Sequence, residues 1–123
     1  MPTKPSSENP TTLLFRGVHA RHPAIDAARK GLVVPGDANG TVTPEQHNRG
    51  GVSENSPYTS WTFDREIAES HADDYGRDGV ILKLPLTDPE PSDTWSWETS
   101  PDLLDEQEIL LRGYRSGATV ELL

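Results

Sequence analysis

The sequence contains no cysteine. Disulfides, thiolate nucleophiles and thiolate metal ligands are excluded by that absence, and the redox compartment stays open. Apolar residues are also scarce. They form 33% of the chain, and mean hydropathy is −0.65, so the core is expected to be real but small. No apolar run approaches the length of a membrane-spanning helix. The polar, proline-containing start lacks the apolar centre of a signal peptide. Both shortages predict a soluble protein that does not engage a membrane. Basic side chains are the third scarcity: 11 Lys and Arg stand against 20 Asp and Glu, a formal net charge of −9. Between Asp64 and Glu108 the imbalance is sharpest, with 14 acidic and 3 basic side chains. Such a field repels phosphate backbones and disfavours nucleic-acid binding. It suits a basic partner surface, or simply a solvated face. His19, His22, His47 and His71 lack the spacing of metal ligands, so no metal site is expected.

Proline and glycine, by contrast, are plentiful, at 11 and 10 residues, so much of the chain must be loop. Its 123 residues predict one domain. Residues 1–11 read as a flexible N-terminal tail and residues 12–123 as the folded domain. The first strand is expected over Thr12–Gly17. A short helix follows over Pro23–Lys30, with Pro23 at its first position and Gly31 as its stop. Leu32–Val34 reads as a brief strand, and residues 36–57 as a long loop of the kind that is usually functional or disordered. Tyr58–Thr62 is a second strand, on which alternation puts Ser60 and Thr62 on one face and Trp61 and Phe63 on the core side. Asp64 is a helix N-cap. The helix it opens runs to about Tyr75, with Ile67, Ala68, His71, Ala72 and Tyr75 on one stripe and His71 read as packed. Gly79–Leu86 is the clearest strand. An acidic loop over 88–105 carries Trp95 and Trp97, which either meet a target or cover the core. Asp105–Gly113 is a strand entered through carboxylates. Ala118–Leu122 closes the chain, joined to the preceding strand by a hairpin turn at Arg115–Gly117.

Three polar features stand at strand positions: Arg16 after Leu13–Phe15, then Ser60 with Thr62, then Glu106 with Glu108. Taken alone, the two glutamates read as carboxylates that fray into solvent before a strand becomes buried. Residues two apart on a strand project together, so Glu106 and Glu108 share a face, next to the apolar run Ile109–Leu111. An arginine directly after a buried run is either an ion-pair partner or an anion ligand. Arg16 and Ser60 together reverse the bland reading of the glutamates.

The order Arg, Ser-x-Thr, Glu-x-Glu resembles the ADP-ribosyltransferase superfamily in its Arg–Ser–Glu class. LFRG is similar to the first-strand arginine motif, SPYTSWTFD to the Ser-Thr-Ser strand and its helix, and DEQEILLRG to the Glu-x-Glu strand. The resemblance covers Leu13 to the C-terminus and is nearest to small toxin domains of bacterial polymorphic toxins. Ser60-Trp61-Thr62 departs from Ser-Thr-Ser, although Thr62 keeps a hydroxyl. The chain is also short for the family.

The resemblance implies an α+β fold of the split β-sandwich type, two small sheets with flanking helices around an NAD cleft. It implies NAD as substrate and no metal. Arg16, Ser60, Glu106 and Glu108 are then the catalytic set, with Arg16, Gly17, Ser60, Thr62 and Glu108 binding NAD. Arg16 would hold the pyrophosphate, Gly17 the nicotinamide carboxamide, and Glu108 the ribose 2′-hydroxyl, with Ser60 orienting Glu108. Glu106 would engage the acceptor. A glutamate there is associated in the family with arginine acceptors, so the implied activity is mono-ADP-ribosylation of a target protein at arginine. The implied setting is a toxin in the cytoplasm of the producing or the target cell, with a secretion system as a route of delivery and an immunity protein holding it in check in the producing cell. The alternatives are an NAD glycohydrolase toxin and a non-catalytic binding module on the same fold.

Overall fold

The computed structural model describes residues 12–49, 55–76, 78–99 and 108–123. Six strands form one sheet: β1 (Leu13–Val18), β2 (Tyr58–Thr62), β3 (Val80–Pro85), β4 (Ser96–Thr99), β5 (Glu108–Arg112) and β6 (Thr119–Leu122). Among the described residues three short helices accompany them: α1 (Ile25–Ala28), α2 (Pro44–Arg49) and α3 (Arg65–Ala72). Strand order is β4-β5-β2-β1-β3-β6, and every pairing is antiparallel. Among the described residues no helix is long and apolar enough to cross a membrane.

The expected split β-sandwich is therefore corrected to a single open sheet. β1 is the reason. It pairs with β3 along its whole length, from Leu13↔Pro85 to Val18↔Val80. It also meets β2 at Phe15↔Thr62, and this one register position joins the two halves of the sheet. A second sheet is not needed to bury either face, because helices and loops do so. Ala68 and Ala72 of α3 pack on Ile81 and Phe15. The opposite face packs Leu14, Val18, Leu82 and Leu84 with Ile25, Ala28, Val33, Trp61 and Leu111. Alternation along β3 sends Ile81 one way and its neighbours the other, and all are buried, as expected of a strand covered on both sides.

α3 approaches β1 closely enough to dictate a glycine. A Cβ at Gly17 would lie 1.9 Å from the Ala68 carbonyl oxygen and 2.8 Å from the Ala72 nitrogen. Both are backbone atoms that cannot rotate aside. Gly17→Ala is thus expected to destabilise the domain by about 3 kcal/mol, the upper range for overpacking, read as a lower denaturant midpoint at unchanged slope. The entry to α3 forms as anticipated, with Asp64 Oδ1 accepting from Glu66 N at 2.9 Å. Arg65, the first residue of the helix, pairs with Glu69 and Glu121, and Lys83 also reaches Glu121. These contacts tie α3 and β3 to the edge strand β6.

Several expectations change. The loop over 36–57 contains α2, whose start is a capping box. Thr43 Oγ1 accepts from Gln46 N at 3.2 Å, and Gln46 Oε1 accepts from Thr43 N at 2.9 Å, the reciprocal arrangement that Thr-x-x-Gln encodes. The loop over 88–105 contains β4, and Trp95 and Trp97 pack against the core. Trp97 meets Trp61 edge-on at 5.7 Å, while the Arg115 guanidinium stacks 3.7 Å above the Trp95 ring. β5 and β6 form no hairpin: β6 pairs with β3 at the far edge of the sheet. Leu32–Val34 contributes only the bridge Val33↔Arg115. Phe63 is 39% exposed and not core, because the chain turns into α3 at that point. His71 is exposed as well. Glu106 and Gln107 lie outside the described residues.

Candidate active site

Arg16 occupies the middle of β1, in the same row as the fully buried Leu14 and Val18. This row explains its environment: a guanidinium sits where alternation calls for an apolar side chain. Its Nη1 donates to the Ser60 carbonyl at 3.2 Å, a bond across the seam where β1 and β2 have only one register pair. Burial pushes its pKa down to about 10, which leaves the group charged at neutral pH. Among the described residues no ion pair includes it.

The register of β2 on β5 sets the rest. Thr62 stands opposite Glu108, and Ser60 opposite Leu110. Cross-strand partners share a face, so Ser60, Thr62 and Glu108 project together, with Ser60 and Glu108 as diagonal neighbours. Thr62 Oγ1 also accepts from Asp64 N at 3.0 Å and so shapes the turn into α3. Arg16, Gly17, Ser60, Thr62 and Glu108 all line one cavity of about 450 Å³. A second cavity of about 520 Å³ lies beside it and shares Arg16, His22 and Ser60. The volumes suit a ligand with two lobes.

Comparison of the chain with family models, curated proteins and solved structures returns no match.

Two histidines belong to this site that the sequence reading left aside. His22 lines both cavities. Its Nδ1 accepts from Ala24 N at 2.9 Å, which leaves Nε2 to carry the proton. Burial, and then the nearby Arg16 and His19, push its pKa down to about 4. His47, on α2, lines the second cavity. Its Nε2 lies 3.0 Å from Ser60 Oγ and its Nδ1 2.8 Å from Ser56 Oγ. Burial lowers its pKa too; Glu108 opposes that shift and Arg16 adds to it. Metal-ligand spacing was the wrong test for these residues. A usable signal was the Thr-Pro-Glu-Gln capping box just ahead of His47, which marks a helix inside an apparent loop.

The depressed histidines have a consequence for stability. The fold favours their neutral forms, so the unfolded chain takes up protons first on acidification. Their stabilisation is complete above the ordinary value of 6.5 and is lost as pH falls below it, for His22 down to about 4. The melting temperature should therefore drop between about pH 7 and about pH 4.5, and His22→Gln should drop less over the same interval. Parallel profiles for the two proteins would show that His22 does not titrate in this way.

Proposed function

We propose that the chain is a mono-ADP-ribosyltransferase that cleaves NAD and transfers ADP-ribose to an arginine of a target protein, in a toxin setting. One observation carries the proposal: a half-buried, charged guanidinium with no carboxylate partner among the described residues lines the same cavity as Ser60 and Glu108. A cation left unpaired where water is limited favours an anionic ligand, and a guanidinium fits phosphate oxygens through paired hydrogen bonds. The pyrophosphate of NAD meets that need. His22 Nε2–H adds a neutral donor beside it.

At the other end the Glu108 carboxylate has a chemical task. When the bond between nicotinamide and ribose breaks, its electron pair leaves with nicotinamide, and the ribose acquires oxocarbenium character. Glu108, near the ribose 2′-hydroxyl, stabilises that developing charge, most strongly where water is excluded. An arginine nitrogen then attacks the anomeric carbon and gives up a proton, for which Glu106 is the proposed acceptor. Water in place of arginine would give NAD hydrolysis.

Incubation with NAD labelled on the adenylate, alone and with lysate proteins, tests this. Released nicotinamide and label retained on a protein through a hydroxylamine-sensitive arginine linkage support transfer. Free ADP-ribose without labelled protein turns the reading to a glycohydrolase. No nicotinamide release under either condition sinks both and leaves the binding module.

A further inference from the structure

We propose that His47 is a positioning residue for Ser60: as its Nε2–H tautomer it makes the Ser60 hydroxyl a proton donor into the cavity that Glu108 lines, and not a nucleophile. The consequence for turnover rests on the NAD reading of that cavity; the hydrogen-bond arrangement does not.

Proton counting decides the tautomer. Ser56 is fully buried, and its Oγ accepts from Tyr58 N at 3.1 Å. Its other partner among the described residues is His47 Nδ1, at 2.8 Å. A buried hydroxyl needs an acceptor for its own proton. Among the described residues only an unprotonated Nδ1 supplies one. A neutral imidazole with a bare Nδ1 carries its proton on Nε2, and that nitrogen faces Ser60 Oγ at 3.0 Å. Ser60 Oγ thus accepts from His47, and its own hydrogen is free to point at a ligand.

The opposite tautomer would reverse the chemistry. Nε2 would take the Ser60 proton, as in a serine nucleophile with its base, and the buried Ser56 proton would have no partner among the described residues. The surroundings hold the ring in place. His47 N donates to Thr43 O at 2.9 Å in the first turn of α2, and the ring meets Tyr58 edge-on at 6.0 Å. Arg16 and Glu108 are the charged groups acting on it, with opposite signs, and His22 lines the same cavity. Protonation at Nδ1 would displace the Ser56 hydrogen bond, so acid should disorganise Ser60.

The direct test is long-range nitrogen–proton correlation spectroscopy of the histidine-labelled, full-length protein near neutral pH. A His47 ring protonated on Nε2 and bare at Nδ1 supports the proposal. The reverse tautomer, or an imidazolium, overturns it. Kinetics supply the second arm. His47→Ala should lower kcat for nicotinamide release by about tenfold, the worth of one well-placed hydrogen bond, with KM nearly unchanged. Glutamine imitates a donor at Nε2 and asparagine one at Nδ1, so His47→Gln should recover part of the loss and His47→Asn should not. The acid limb of the wild-type pH profile should shift in His47→Gln. Equal losses in the glutamine and asparagine variants, or an unmoved limb, count against the proposal. Turnover and tautomer fail separately: a wild-type protein that never cleaves NAD removes the transferase reading, while the spectrum still decides the arrangement around Ser60.

Discussion

Glu108→Gln should reduce nicotinamide release by about a thousandfold, the usual scale for removing a principal transition-state electrostatic partner. The substitution changes charge and almost nothing else. Glu108 opens β5 opposite Thr62, and glutamine preserves both backbone pairing and side-chain volume. On the proposed mechanism KM should change little, because the carboxylate would act when positive charge develops on the ribose and less when NAD first binds. A thousandfold corresponds to about 4 kcal/mol of lost transition-state stabilisation. Rapid-quench measurement of labelled nicotinamide separates the chemical step from product release. A glutamine variant within about tenfold of wild type would remove Glu108 from the bond-breaking step.

Much of this arrangement was legible in the sequence, for local reasons. Arg16, Ser60 and Glu108 each sit on a strand whose apolar alternation is visible in a few residues, and strand pairing then brings separated segments together. Val80–Pro85 and Tyr58–Thr62 form where alternation puts them. The sheet count was not legible in the same way. Whether β1 and β2 separate into two sheets depends on one meeting point, Phe15↔Thr62, and no local pattern reports on a single cross-strand contact. The absent hairpin has a similar origin. Arg115–Gly117 has the composition of a turn, and Gly117 does adopt a positive φ of 83°. Composition fixes that the chain turns there; it leaves open which strand receives it. β6 goes to β3 because that edge offers a partner for Val120 opposite the buried Leu82.

The histidines show a different limit. His47 reaches Ser60 across 13 residues of sequence, from a helix to a strand. The role proposed for it arises from the scarcity of acceptors for Ser56 among the described residues, which depends on what surrounds a buried hydroxyl. Residue spacing carries no trace of that. Gly17 illustrates the converse. The resemblance assigned it a ligand contact, yet the close backbone of α3 already requires glycine there. A ligand role for its backbone and a packing role for its missing side chain are compatible, because they use different atoms.

On the proposed reading of the site, Arg16→Met should raise stability while weakening NAD binding. A guanidinium in the row between Leu14 and Val18 gives up hydration and gains one hydrogen bond, to the Ser60 carbonyl at 3.2 Å. Effective desolvation of a buried ion costs several kcal/mol, whereas one such bond returns about 1–3 kcal/mol. No ion pair among the described residues makes up the difference. Methionine fills similar space with none of that penalty, and water entering the cavity can satisfy the freed carbonyl. The net gain should be about 1–2 kcal/mol, a rise of several degrees in melting temperature for a domain of this size. NAD affinity should fall by about a hundredfold, the worth of charge-assisted bonds to a pyrophosphate. Arg16→Lys separates charge from shape: a lysine keeps the positive charge, loses the planar fork, and should recover only part of the binding. A structural arginine would behave otherwise, since its replacement would lower the melting temperature and NAD would bind or fail to bind regardless. Stability lost at Arg16→Met would therefore mean that the guanidinium supports the fold, whereas stability gained with binding lost would mark it as a site maintained for its ligand at the expense of the fold.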